Sequence, residues 1–263
     1  MADPLEEIAF LARSENRIEV LRTLADDAYT RRELGDAVDA SQPTIGRVLN
    51  DLREREWVAY DGERYRATAT GELVADGITD LRARLETETR LREIIAYLPT
   101  DAIDVDLRAF ADATITTPTG TRPNAPIERM VELLAGASHA HLLSHSFNRQ
   151  KLDCLHDRCV DGSLTIAGVF ARDAIAAVRE DPVLAERLRE VVAADGVDIR
   201  VTDRAVPVAV EVTDDRTHLL LRDDEGVVRA SMDTDDDAVR AWALDTHDSF
   251  FADADPLTAS DFA

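Results

Sequence analysis

The 263-residue chain contains a single lysine, Lys151; the other 29 of its 30 basic side chains are arginines. It has two cysteines, Cys154 and Cys159, too few for a disulfide framework. No run approaches the roughly 18 apolar residues of a membrane span. Met1-Ala2-Asp3-Pro4 lacks the basic start and apolar core of a secretory signal. These absences predict a cytoplasmic protein with no membrane partner.

What is abundant is carboxylate. Acidic residues number 53, for a formal net charge of −23, while 45% of residues are apolar. That apolar share excludes a wholly disordered chain, although the charge alone would permit one. Excess carboxylate with almost no lysine fits a salt-saturated, halophilic cytoplasm. There the Debye length shrinks to roughly 3 Å and self-repulsion is screened. A GC-rich genome also favours arginine over lysine but does not explain the acid excess. In such salt, net negative charge no longer argues against a nucleic-acid partner.

The first segment reads as short helices and a hairpin. Ser14 precedes a helix with Ile18, Leu21 and Ala25 on one face. Thr30 and Glu33 form a capping-box pattern at the next. Ser41 caps a third, with Pro43 in its first turn and Ile45, Val48, Leu49 and Leu52 as one buried stripe. Trp57–Tyr60, the turn Asp61-Gly62 and Arg64–Ala67 predict a β-hairpin. This order is that of a winged helix-turn-helix, whose partner is double-stranded DNA. The stripe predicts that Thr44, Arg47 and Asp51 face outward. Ser41, Gln42, Thr44 and Arg47 would approach bases or adjacent phosphates, with Arg64 and Arg66 on the hairpin touching the backbone. Residues 41–66 hold five cations and five anions, a neutral island in an acidic chain. Winged helices also serve as protein-binding modules, so an interaction or sensor protein is the alternative.

Val74, Ile78, Leu81 and Leu85 give the next segment an apolar stripe, resumed by Leu91, Ile95 and Leu98. Such a helix pairs with its copy in a homodimer or packs on its own chain. Beyond the breaks at Leu98-Pro99 and at residues 116–126, strand-like and helix-like segments alternate β-α-β-α-β to about Val201. Three strands with antiparallel turn chemistry and a closing helix from Asp235 to Phe251 follow. The expected fold class is therefore α+β to α/β. It comprises a winged helix-turn-helix over 1–69, a connecting or dimerisation helix over 70–98, and an α/β effector or assembly domain with a mixed sheet over 99–263.

The run Arg204–Arg216, then Leu219-Leu220-Leu221, Asp224-Glu225-Gly226 and Trp242, resembles the archaeal winged-helix regulators whose C-terminal region is the methanogenesis-regulator middle domain. The resemblance extends over roughly residues 5–255. It implies a transcription regulator with an α/β effector or assembly domain, and no defined ligand. More distant likeness to TrmB-type sugar-responsive regulators implies a phospholipase D-like C-terminal fold. Phospholipase D chemistry needs His-x-Lys-x4-Asp; His145 lies six residues before Lys151, so the motif is not complete. No nucleophile–base constellation supports catalysis, and no cofactor is expected.

His139, His141, His145, Cys154, His156 and Cys159 fall within 21 residues. They include no Cys-x2-Cys pair, and the expectation is no metal site. Loops after the parallel strands carry Ser144, His145, Ser146 and Arg149, then Arg172, then Arg204. If their arginines converge, they suit a small anionic metabolite; otherwise they pair with surface carboxylates.

Overall fold

The protein is described by a computed structural model covering residues 3–262. The chain divides into two compact units, at Glu86/Thr87.

The first unit opens with α1 (Pro4–Ala12), a helix before Ser14 that the sequence reading did not contain. Then come α2 (Glu15–Asp26), α3 (Arg31–Ala37) and α4 (Gln42–Glu54). The expected capping box holds: Thr30 Oγ1 accepts from the Glu33 amide, and the Glu33 carboxylate accepts from the Thr30 amide. Ser14 occupies the N-cap position of α2 but makes no side-chain cap. The hairpin is β1 (Val58–Tyr60) and β2 (Tyr65–Ala67), closed by Gly62 at φ 110°, a left-handed conformation that favours glycine. Ile45, Val48, Leu49 and Leu52 are all buried, packed with Leu21, Leu24 and Leu34. The long helix α5 (Ala69–Leu91) follows; it ends seven residues short of the expected Leu98, where a 3₁₀ turn over Ile95–Tyr97 takes over.

The second unit is built on one eight-stranded sheet. In chain order its elements are β3 (Thr114–Thr116), α6 (Ala125–Gly136), β4 (His139–Ser144), α7 (Arg149–Val160) and β5 (Thr165–Ala171). They continue with α8 (Arg172–Arg179), α9 (Pro182–Ala193), β6 (Val197–Thr202), β7 (Ala209–Val212) and β8 (Thr217–Arg222). The last are β9 (Val228–Thr234), α10 (Asp237–Asp253) and β10 (Asp255–Pro256). The spatial order is β10-β6-β5-β4-β7-β8-β9-β3. As expected, β4, β5 and β6 are parallel and β7, β8 and β9 antiparallel. Side chains alternate across the pleat. Leu142 joins the cluster containing Leu134, Leu152, Leu155 and Leu188, while Leu143 joins the one containing Val239, Ala243 and Phe250. Helices thus cover both faces.

Charge enters this core in one row. Glu211, His218 and Asp233 are register partners across β7, β8 and β9, and all three are buried. Lys151 of α7, 2% exposed, ion-pairs with Glu211. Arg129 of α6 and Arg216 pair with Asp233. Burial pushes the His218 imidazole down to about 4, against the pull of the Glu211 and Asp233 carboxylates. An amine-directed acylating reagent is therefore expected to leave the Lys151 side chain unmodified in the folded protein and to label it after unfolding. Peptide mass mapping checks this, and ready modification of the folded chain would contradict the burial.

Candidate nucleic-acid interface

Helix α4 begins as its sequence requires. Ser41 accepts a 3.4 Å bond from the Thr44 amide, and the Ser41 and Thr44 hydroxyls lie 2.9 Å apart. Both hydroxyls are thus engaged in the cap, and Thr44 is half-buried. Gln42 is exposed, but its side-chain nitrogen donates to the Arg31 carbonyl at 3.3 Å. Arg31 returns a bond to the Gln42 carbonyl, with its guanidinium lying where a Cβ at Gly46 would be. A glycine at 46 is what lets this arginine join α3 to α4.

The outward stripe differs from the expected Thr44, Arg47 and Asp51. Asp51 is half-buried in an ion pair with Arg17 of α2 at 3.0 Å. The exposed residues of the helix include Pro43, Arg47, Asn50 and Glu54, whose spacing of four, three and four places them on one face. Asn50 is the addition: it lies one turn beyond Arg47 and carries an amide capable of pairing with adenine.

The five cations of residues 41–66 separate by role. Arg55 bonds Glu7 at 2.7 Å and lies over the Phe10 ring at 3.4 Å, fastening α1 to the end of α4. Arg64 donates to the Ala28 carbonyl at 2.8 Å and reaches Glu33 at 3.3 Å, holding the hairpin against the start of α3. Arg47, Arg53 and Arg66 are exposed, and among the described residues their side chains make no ion pair or hydrogen bond, although Arg53 lies over the Tyr60 ring at 5.8 Å. Arg32 of α3, which the sequence reading did not single out, is equally unpaired. Tyr60 and Tyr65 stack at 4.4 Å, stiffening the hairpin that carries Arg66.

In the second unit, the anticipated arginines each meet a carboxylate. Arg149 pairs with Asp181 at 3.1 Å, Arg172 with Asp203 at 2.6 Å and Asp255 at 3.0 Å, and Arg204 with Asp253 at 3.1 Å. Arg172 and Arg204 both line a cleft of about 400 Å³ with His145; Arg149 does not line it. Ser144 is buried, its hydroxyl donating to the Ser146 carbonyl at 2.8 Å. His145 is half-buried, and its Nδ1 has no hydrogen-bond partner among the described residues. The cysteines of the anticipated His/Cys group are poor ligands as they stand. Burial pushes the Cys154 thiol up and the Cys159 thiol up to about 12, disfavouring thiolate. His141 meets a residue that sequence distance concealed. His247 of α10 lies against it with ring centroids 4.9 Å apart, its Nε2 in contact with the Ala167 carbonyl and its Nδ1 3.1 Å from the Asp248 carboxylate. Since a carbonyl only accepts, His247 Nε2 is the donor in the 3.0 Å contact with Ala167.

Residues 5–90 match the HVO_A0261 N-terminal domain, and residues 123–253 match the middle domain of the methanogenesis regulatory protein FilR1. No curated protein matches the chain. Among solved structures, TrmBL2, an archaeal chromatin protein, aligns over 96% of this chain and 99% of its own, at 13% identity and a TM-score of 0.41. Nuc, a phospholipase D family member from Salmonella typhimurium, aligns over 56% of this chain and 99% of its own, at 8% identity and a TM-score of 0.43. Likenesses this distant carry no inference about chemistry. The two domain matches stand in this order along one chain and show a regulator-type architecture: an HVO_A0261 N-terminal domain followed by a methanogenesis-regulator-type middle domain.

Proposed function

We propose that the chain is a DNA-binding transcription regulator of a halophilic archaeon. In this reading it acts in the cytoplasm as a homodimer and answers to a small anionic metabolite through its second unit. One observation carries the DNA-binding part. In a chain of net charge −23, Arg32, Arg47, Arg53 and Arg66 stand exposed without a carboxylate partner among the described residues, on α3, α4 and the hairpin. Arg47 and Asn50 share the outward face of a helix whose opposite face is fixed in the core. Guanidinium and amide groups so displayed suit guanine and adenine edges in a major groove. In this assignment Ser41, Gln42 and Thr44 shape the start of the helix near phosphate, Arg66 meets the backbone, and Arg64 holds the hairpin in place.

Exposed leucines support a dimer: Leu73 and Leu85 of α5 are 72% and 56% exposed. Residues 70–98 are accordingly proposed as the dimerising connection between a DNA-binding domain over 1–69 and an effector domain over 99–263. The salt-adapted reading draws support from Lys151, whose burial leaves exposed side-chain cations to arginine and histidine. No helix among the described residues is long and apolar enough to cross a membrane.

A gel shift on DNA upstream of the chain's own gene, in molar potassium chloride, tests the central claim. Retarded duplex that competitor DNA of unrelated sequence does not displace is the expected result. A folded protein that shifts no duplex would instead favour a winged helix that binds protein.

A further inference from the structure

Strand β4 is where the chain changes direction across the sheet. From β4 it passes to β5 and β6 on one side, then returns to place β7 on the other. In open α/β sheets, the crevice beyond the carboxyl end of such a strand is the preferred ligand site. Here that end is Ser144-His145-Ser146. Because β7 runs antiparallel to β4 and β8 antiparallel to β7, the entry to β7 and the exit from β8 lie at the same edge. A cavity of about 660 Å³ opens there, with His145 and Arg222 in its wall.

The polar groups of this cavity are short of partners. Arg222 Nε is buried with no hydrogen bond, and so is His145 Nδ1. One Arg222 amino group donates to the Ser146 hydroxyl. Among the described residues no carboxylate pairs with Arg222, although its sequence neighbour is Asp223. That carboxylate is held by Arg229 at 2.6 Å and by the Glu225 and Val227 amides. Arg149, Arg172 and Arg204 all have carboxylates, so among the described residues Arg222 is the arginine at this edge left without a counterion. Burial lowers its pKa, and burial with the nearby Arg222 charge lowers that of His145. A half-buried guanidinium whose Nε is cut off from water without an anion is unfavourably placed, and an incoming anion relieves that cost.

The other walls limit what the anion is. Tyr97, Leu98, Val206 and Leu220 supply apolar surface. Asp223 and Asp224 also line the cavity and repel a second negative charge. We propose that this cavity binds a small organic monocarboxylate, its head group on Arg222 and His145 and its hydrocarbon body against Tyr97, Leu98, Val206 and Leu220. The inference rests on the proposed regulator reading for its purpose, since the bound acid would be the metabolite sensed.

Isothermal titration of the full chain with hexanoate, acetate, 1-hexanol and inorganic phosphate tests it, in a chloride buffer free of other carboxylates. Hexanoate is expected to bind. Acetate, hexanol and phosphate are each expected to bind at least about tenfold more weakly, since each lacks one half of the recognition or carries excess charge. R222Q is expected to lose at least about tenfold in hexanoate affinity and to leave hexanol unaffected. Phosphate binding tighter than hexanoate overturns the proposal, as does no heat from hexanoate at millimolar concentration. Equal hexanoate affinity in a folded R222Q also overturns it. The comparison of ligands on the unmodified chain decides the matter if R222Q does not fold. A parallel gel shift without ligand separates the two readings: lost DNA binding defeats the regulator, while calorimetric failure beside intact DNA binding defeats only the cavity.

Discussion

Replacing Asp233 with alanine is expected to destabilise the second unit by about 3 kcal/mol, within the range for breaking a buried ion pair. Asp233 is fully buried on β9. Its two carboxylate oxygens accept from Arg129 at 3.0 Å each, and one also accepts from Arg216 at 2.8 Å. The alanine variant would leave two guanidinium groups facing a void. Both are about a quarter exposed, 27% and 26%, so water can partly replace the lost partner. That places the expected loss at the lower end of the range. Asp233→Asn keeps the shape, removes the charge, and allows a pH test. Burial pushes the Asp233 carboxyl up, but the Arg129 bonds and the Arg129 and Arg216 charges outweigh it and hold its pKa below the ordinary value. A carboxyl depressed in the folded state stabilises above its unfolded pKa, near 3.9, and loses that contribution as pH falls through the folded value. The stability gap between the parent and Asp233→Asn should therefore be full at neutral pH and narrow below about pH 4. Urea unfolding followed across pH measures it. A gap under about 1 kcal/mol at pH 7 would contradict the buried pairing.

This row of charge marks the limit of what local patterns reveal. The antiparallel order of β7, β8 and β9 is legible in short strand-like runs separated by acidic turns. The partners of Glu211, His218 and Asp233 are not, because Lys151 and Arg129 lie 60 and 104 residues away in sequence. The capping box at Thr30 and Glu33 is local and was readable for that reason. So was the stripe of Ile45, Val48, Leu49 and Leu52. The phase of the opposite face was less secure: Arg17 draws Asp51 inward by a contact between helices, and Asn50 takes the outward place. Strands β3 and β10 have three and two residues, too few for alternation to register, and exist through pairing with β9 and β6. Helix α8 is eight residues long and begins at the residue after β5, so no turn signal announces it. Arg222 sits beside Asp223 and Asp224 in sequence and looks neutralised there. Only the fold commits Asp223 to Arg229 and leaves the guanidinium without a carboxylate among the described residues.

Arg47→Ala is expected to weaken binding to a cognate duplex by about 1–3 kcal/mol, roughly 5- to 150-fold, if Arg47 pairs with a guanine edge. The substitution should leave the fold intact, because Arg47 is exposed, lacks an ion pair among the described residues, and alanine is a good helix former. Two controls give this loss its meaning. Arg66→Ala removes an unpaired guanidinium from the hairpin, where contact with phosphate is the proposed role. It should weaken cognate and unrelated DNA by similar factors and reduce the slope of log K against log salt by about one. Arg64→Ala severs the ties to Ala28 and Glu33. Its effect on DNA should appear together with loosening of the hairpin, visible as faster exchange of the Tyr29 and Tyr65 amides that bond each other's carbonyls. A base contact by Arg47 also predicts selectivity: cognate affinity falls while affinity for unrelated sequence changes little. Fluorescence anisotropy over a series of salt concentrations separates these cases. Equal losses on both DNAs would assign Arg47 to phosphate, and no loss on either would remove α4 from the interface.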